Sequence, residues 1–487
     1  MNVKEGLIRI VGSEAVLDDP DALQPYTVRH SLWKTPWPDV VVSAGNMEEA
    51  QRVIQFANEK KAPLKPSSSG VHLRESGPVQ GGILLDLSKM KKISKIDNRN
   101  RKATVEPGVT WGELTEELAK QQMRTILPLV PHADSSVLVS CLERDPSVIP
   151  MFEYGELILS MQMIWPTGEL FRTGSAATIG FGKEGNLAEG CYPYGPGPID
   201  AMRLMQGAQG TMGTAMWANI KTERLPVVNK SYFIPFEQSE DVVEAIYAIQ
   251  RKRIGHECFA VNSVDLAGLL AKDMASDYAK LEKQLPPWSV LMILSGAKYF
   301  PEDKIAYEKE ALFEVRNHVF PFTEILDVIP GYGSTNSLPE LLRNPWPAGE
   351  TYWKERFKGA CQDLFFITTM EKAPTFVDAV SQIAAEKGYD QRKIGMYIQP
   401  LEFGAGAHVE FNLFYDPDNP EEIETVKQVY TESIKEALRL EAHFTRPYGK
   451  VAADLVYEKA GSYTMLAKKT KEILDPNNIM NPGTLCF

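Results

Sequence analysis

The chain has 487 residues, room for two to four domains and for a core that needs no disulfide or metal staple. Hydrophobic residues make up 44% and charged residues 24%, and 52 Lys+Arg against 64 Asp+Glu leave a net charge of −12. That balance excludes a nucleic-acid binder built on clustered basic residues, and no run of 18 apolar residues offers a membrane span.

The N-terminal stretch carries acids among short apolar pairs and does not read as a secretory signal. Cys141, Cys191, Cys258, Cys361 and Cys486 are irregularly spaced with no CxxC pair, so they read as free thiols in a reducing cytoplasm.

Val40-Val41-Val42 reads as a short buried strand. Asn46 then takes a cap position with Glu49 three residues on, and Ala50, Val53, Ile54 and Ala57 give one apolar helical face. A strand at Ala62–Lys65 leads into Pro66-Ser67-Ser68-Ser69-Gly70, and strands follow at 82–87 and 103–106. Thr110 and Glu113 form a capping box that opens a helix carrying Leu114 and Leu118.

Next, 157–165 and 170–173 flank Pro166-Thr167-Gly168-Glu169 as a β-hairpin. A Gly/Pro-dense loop spans 178–198, a helix is expected at 201–207 and a strand at 217–222. Pro226-Val227-Val228 is the best domain boundary. Beyond it come strands at 231–236, 364–368, 394–400 and 407–414, with helices at 241–252, around 376–387, at 423–440 and at 463–474.

Gly180-Phe181-Gly182-Lys183-Glu184-Gly185 matches GxGxxG literally, but the prolines and glycines behind it leave no helix for a dinucleotide site. There is no Walker A, HExxH or GxSxG motif. The Ser-rich loop at 66–70 is different in kind. Small residues let several N–H groups point at one spot, a nest that holds a diphosphate without lysine.

Six pieces in order carry a family resemblance: residues 82–90, 103–114, Ser136–Arg144 with Tyr154-Gly155, the hairpin 161–174, Gly210-Thr211-Met212-Gly213, and the ending Asp475-Pro476-Asn477-Asn478-Ile479-Met480-Asn481-Pro482-Gly483. Together they resemble the vanillyl-alcohol oxidase superfamily of FAD-linked oxidases, with its p-cresol methylhydroxylase-type FAD-binding domain.

The resemblance implies an α+β protein: an FAD-binding domain of two α/β subdomains over 1–226, a cap domain with an antiparallel sheet flanked by helices over 227–440, and a C-terminal segment, 441–487, that returns to the FAD domain. It implies FAD as cofactor, held by Pro66, Ser67, Ser68, Ser69, Gly70, Val71, Pro107, Gly108, His132, Ser135, Ser136, Ile164, Met212, Gly213 and Asn481. His72 lies beyond the loop glycine, which speaks against the family's covalent link from a histidine there.

Arg446, His408 and Tyr448 are the candidate catalytic residues. Alternation puts His408, Glu410 and Asn412 on one face of a strand, either solvated or lining a pocket. By resemblance His408 is a flavin tether or a metal ligand, and its chemistry also suits a plain substrate-pocket base. Gly404-Ala405-Gly406 lacks the family's first metal histidine and its aspartate, and Glu441-Ala442-His443 only loosely resembles the second motif, so no metal is expected. Arg446 suits a carboxylate, a phenolate or the charge that grows on reduced flavin. Thr445 replaces the tyrosine that phenol oxidases carry there, with Tyr448 just after. His30, His256 and His318 have no motif around them.

The function expected is dehydrogenation of an alcohol by hydride transfer to FAD. The segment Asp363-Leu364-Phe365-Phe366 leans towards an aromatic or phenolic substrate. A 2-hydroxy-acid dehydrogenase and a flavin-bearing electron-transfer subunit are the alternatives. A soluble cytoplasmic homodimer is expected, with its electron acceptor open.

Overall fold

The computed structural model describes residues 2–26, 31–33, 36–69, 81–150, 157–178 and 200–487. A four-stranded sheet comes first, from β1 (Val16–Leu17), β2 (Val40–Ser43), β3 (Leu64–Ser67) and β4 (Ile83–Asp86), in the order β1-β2-β4-β3. β2 and β3 both run parallel to β4, and the helix Met47–Lys60 makes the crossover. That helix starts at the cap read from the sequence: Asn46 Oδ1 accepts the Glu49 N–H at 3.0 Å, and the Gly45 N–H donates back to the Glu49 carboxylate. Its apolar face, Ala50, Val53, Ile54 and Ala57, is fully buried.

Next in the chain come β5 (Ile93–Asp97), β6 (Lys102–Val105), β7 (Met123–Arg124), β8 (Ile158–Ile164), β9 (Leu170–Arg172), β10 (Thr214–Lys221) and β11 (Glu223–Arg224). β7 pairs with β11. The other five form an antiparallel sheet in the order β5-β6-β10-β8-β9, with the expected hairpin joining β8 to β9. The helix Trp111–Ala119 packs beneath it, opened by a complete Thr110–Glu113 capping box.

The third region holds β12 (Val228–Phe236), β13 (Glu257–Asn262), β14 (Trp288–Gly296), a small ribbon of β15 (Val328–Ile329) and β16 (Gly333–Ser334), then β17 (Ala360–Thr369), β18 (Ile394–Leu401) and β19 (Gly406–Tyr415). Six of them make an antiparallel sheet in the order β12-β14-β13-β18-β19-β17. One face carries Phe366, Ile398, Val409 and Phe411. These pack on the helices Ser239–Arg251, Pro301–Val319, Ala373–Glu386 and Pro420–Arg439. Register sets the opposite face, because residues paired across strands point the same way. It puts Asp363, Asn412 and Gly395 in one row, Phe365, Glu410 and Tyr397 in the next, and Ile367, His408 and Gln399 in a third. This face turns towards the site.

The C-terminal tail comes back to the first sheet. Met480 bridges Leu64 in parallel, so the tail lies beside β3 and the Ser-rich loop. Among the described residues no helix is long and apolar enough to cross a membrane.

Candidate active site

A cavity of about 350 Å³ opens where the three regions meet. On the side of the first two sheets its wall carries Lys65, Glu143 and Asp145 together with a run of neutral donors and small residues: Pro66, Ser67, Ser68, Ser69, Pro107, Ser135, Ser136, Gly210, Gly213 and Thr214. Gly213 sits at φ +155°, and a Cβ there would come within 2.9 Å of the Ile164 carbonyl. Four buried polar atoms in this region have no partner among the described residues: Ser68 Oγ, Thr214 Oγ1, Trp111 Nε1 and Asn481 Oδ1. Buried polar groups are normally matched, so these atoms call for polar partners beyond the described residues, and a polar ligand in the cavity would supply them. The neutral donors, with Lys65 beside them on the wall, suit a diphosphate and the rim of a flavin. FAD fits here.

The expected flavin residues divide into three sets. Pro66, Ser67, Ser68, Ser69, Pro107, His132, Ser135, Ser136 and Gly213 reach the cavity wall. The Ser136 hydroxyl is already used, donating to the Pro107 carbonyl at 2.6 Å and accepting the Val139 N–H, so Ser136 shapes the wall. Gly108, Ile164, Met212 and Asn481 stand behind it. Gly108 lets the chain pass within 2.4 Å (measured from a Cβ position) of the Ser88 carbonyl, and Asn481 donates to the Gln209 carbonyl at 2.7 Å. Gly70, Val71 and His72, like His30, Tyr154-Gly155, Cys191 and the 180–185 glycines, lie outside the described residues. The remaining cysteines are free thiols.

Arg446 lies behind the wall. Its guanidinium does not line the cavity. It ion-pairs with Asp145 at 3.2 Å, donates to the Arg144 carbonyl at 2.6 Å and lies 4.6 Å over the Phe365 ring. Asp145 is the residue that reaches the cavity, with Arg446 behind it. Tyr448 does line the cavity, and its hydroxyl donates to Glu143 at 2.8 Å.

His408 is also set back. The polar face of β19 is not solvated: His408, Glu410 and Asn412 are 3%, 8% and 0% exposed. The His408 ring meets Glu410 at 3.2 Å, and Glu410 lies on the wall. His256 and His318 bond to Glu223 and to the Glu314 carbonyl. Among the described residues no three His, Cys, Asp or Glu side chains form a group able to hold a metal.

The cap side of the cavity was mostly unread in the sequence. Lys354, on the segment before β17, ion-pairs with Asp363 at 3.0 Å and with Glu410 at 2.5 Å. Burial works against its charge, but the two carboxylates hold the ammonium well above the ordinary lysine range. Burial likewise works against Glu410, and Lys354 and His408 keep it well below the usual carboxylate range. Tyr352, Trp353, Tyr397 and Cys361 complete this wall. Behind it, buried Asp265 accepts from Asn412 at 2.8 Å and is pushed by burial up to about 7.

Sequence families agree with this geometry. An FAD-binding domain model matches residues 38–174, and a model of the C-terminal domain of FAD-linked oxidases matches 367–485, between them more than half of the chain. The chain belongs to the superfamily of FAD-linked oxidoreductases with the p-cresol methylhydroxylase-type FAD-binding domain. It is an FAD-dependent oxidoreductase.

Among its relatives, a glycolate oxidase subunit of Bacillus subtilis is 24% identical over 99% of this chain and 96% of its own length. The flavoprotein subunit of 4-cresol dehydrogenase (hydroxylating) from Pseudomonas putida is 28% identical over 54% of this chain and 49% of its own. In fold, the chain is similar to p-cresol methylhydroxylase with substrate bound: TM-score 0.85 at 20% identity, covering 100% of this chain and 96% of that one.

Proposed function

We propose that the protein dehydrogenates the hydroxyl-bearing carbon of a small 2-hydroxy acid. The observation that carries this reading is the near-complete match to a glycolate oxidase subunit, 24% identical over 99% of this chain. The Tyr448–Glu143 pair on the cavity wall offers the hydroxyl and carboxylate that handling a substrate hydroxyl calls for.

Bound FAD supplies the acceptor for the hydride that leaves the substrate carbon. The chain's own residues handle the proton and the orientation. Glu143, which accepts from Tyr448, is the carboxylate on the wall placed to take the substrate hydroxyl proton. Arg446 fixes Asp145 and the Arg144 carbonyl, and so sets the shape of that end.

An aromatic alcohol is the second reading. The rings of Tyr352, Trp353 and Tyr397 on the cap wall and the match to the 4-cresol dehydrogenase subunit support it. Anaerobic addition of lactate-type acids and of 4-alkylphenols, followed by the flavin absorbance, separates the two. We expect bleaching by the acids. Bleaching by the phenols alone transfers the assignment to the second reading.

A further inference from the structure

The cap wall joins three charged side chains whose joint chemistry the reaction itself does not use. Lys354, Asp363 and Glu410 all face the cavity, with the Lys354 ammonium between the two carboxylates. We propose that this trio is the specificity filter for the substrate tail: it accepts a tail hydroxyl and turns away a second carboxylate. The proposal rests on the 2-hydroxy-acid reading for its choice of probes.

The argument is one of charge and of donor inventory. Two carboxylates face one ammonium. Even with a proton on the His408 ring behind Glu410, the cluster's positive charge is fully matched, and none is left for an incoming anion. Of the other cations on the wall, Lys450 is paired with Asp454 at 2.7 Å and Lys65 stands on β3, beside the Ser-rich loop. Glu355 on the same segment also faces the cavity, and Asp265 behind the wall is another acid.

A hydroxyl is the group that satisfies such a wall. It accepts one N–H from the ammonium, which has three donors, and donates its own proton to a carboxylate oxygen. A methyl group would leave these groups dry and unmatched, and a carboxylate would bring two acceptors and no donor to a wall that already holds two acids. The trio is also rigidly placed. Asp363 and Glu410 sit on β17 and β19, two positions apart in the pairing register, and the Trp353 ring lies 5.4 Å from the ammonium.

Matched acids of four and five carbons test this on the FAD-loaded enzyme: 2-hydroxybutanoate, 2,4-dihydroxybutanoate and malate, then the corresponding 2-hydroxypentanoate, 2,5-dihydroxypentanoate and 2-hydroxyglutarate. Affinity is read from perturbation of the flavin spectrum, and reduction separately by anaerobic stopped flow.

The dihydroxy acid should bind best and the diacid worst in at least one series, with steps of roughly 10- to 100-fold for each charge-assisted hydrogen bond made or broken. Asp363→Asn should free Lys354 for an anion and raise diacid affinity relative to the dihydroxy acid by a similar factor. Glu410→Gln, checked for folding by its melting temperature, should do the same.

Diacids that bind as well as dihydroxy acids to the wild type, an order untouched by Asp363→Asn, or no binding by any probe would overturn the filter. Probes that bind in the expected order but never bleach the flavin would leave the filter standing and remove the 2-hydroxy-acid reading.

Discussion

Asp265 shows what a single buried acid does to this fold. Its carboxyl receives the Asn412 amide on one oxygen, while the other has no partner among the described residues. Gly395 lies so close that a Cβ there would sit 1.9 Å from that oxygen, so only glycine leaves room for Asp265 in the row it shares with Asn412 and Asp363. Burial raises the group from 3.8 to about 7, so the folded protein keeps a proton that the unfolded chain releases. The stabilisation from this proton is complete below pH 3.8 and is lost as pH rises through about 7. The slope is about 1.4 kcal/mol per pH unit for one group. Asp265→Asn should remove this dependence. Guanidinium denaturation at pH 5 and pH 8 should show the wild type losing ground to the variant at the higher pH. An equal loss in both proteins would mean that Asp265 is already ionised in the fold.

Among the elements, the C-terminal tail is the one whose sequence and role are most closely tied. Helix Gly461–Leu474 ends by aiming Lys471 inward, where its ammonium donates to the Thr211 carbonyl at 2.6 Å, to Asp475 at 2.5 Å and to the Met480 carbonyl at 2.8 Å. Asp475 in turn accepts the Ile479 and Met480 N–H groups, which sets the tail against Leu64 of β3. One buried ion pair therefore couples the tail to the loop that carries Gly213 and Thr214. Lys471→Met leaves Asp475 buried without its cation, a loss on the order of 3–5 kcal/mol. We expect a lower melting temperature and sub-stoichiometric FAD in the purified variant. Full FAD content with an unchanged melting temperature would separate the tail from the flavin site.

The tail was legible because Asp-Pro-Asn-Asn and Asn-Pro-Gly form a dense, ordered motif, and the capped helices were legible because caps are local. The cap sheet was less so. β14 is buried along all nine residues and shows no alternation, and on the flavin side the strand β5 was equally hidden, with two of its five residues charged. Lys354 gave no signal at all. It stands in a loop without a motif, and its partners come from strands 9 and 56 positions further on. His408 and Arg446 are buried neighbours of the cavity, yet their side chains end one layer short of it, a depth that alternation cannot encode.

At the scale of the whole molecule, the flavin side and the cap sheet are held together by a buried ion network. Glu257 on β13 is fully buried and takes two bonds from Arg343 and one from Arg124, each 2.7 Å long. Arg124 on β7 also reaches Glu223 on β11, and the His256 ring meets Glu223 at 2.8 Å. The small β7–β11 ribbon is thus pinned to the six-stranded sheet, and the cavity between the regions depends on that seam. Burial alone would raise Glu223, but His256 and Arg124 hold it down at about 2 against an ordinary 4.5. The sign is opposite to that of Asp265. This stability is present above pH 4.5 and is lost as pH falls through about 2, when the folded state must take up the proton. Glu223→Gln should therefore lower stability at pH 7, and it should flatten the acid limb by up to about 1.4 kcal/mol per pH unit below pH 4.5. Chemical denaturation of both proteins at pH 7, 4 and 3 measures the difference. Parallel acid limbs would show that Glu223 titrates alike in the folded and unfolded chains, and the seam would then owe its strength to Glu257 and its two arginines alone.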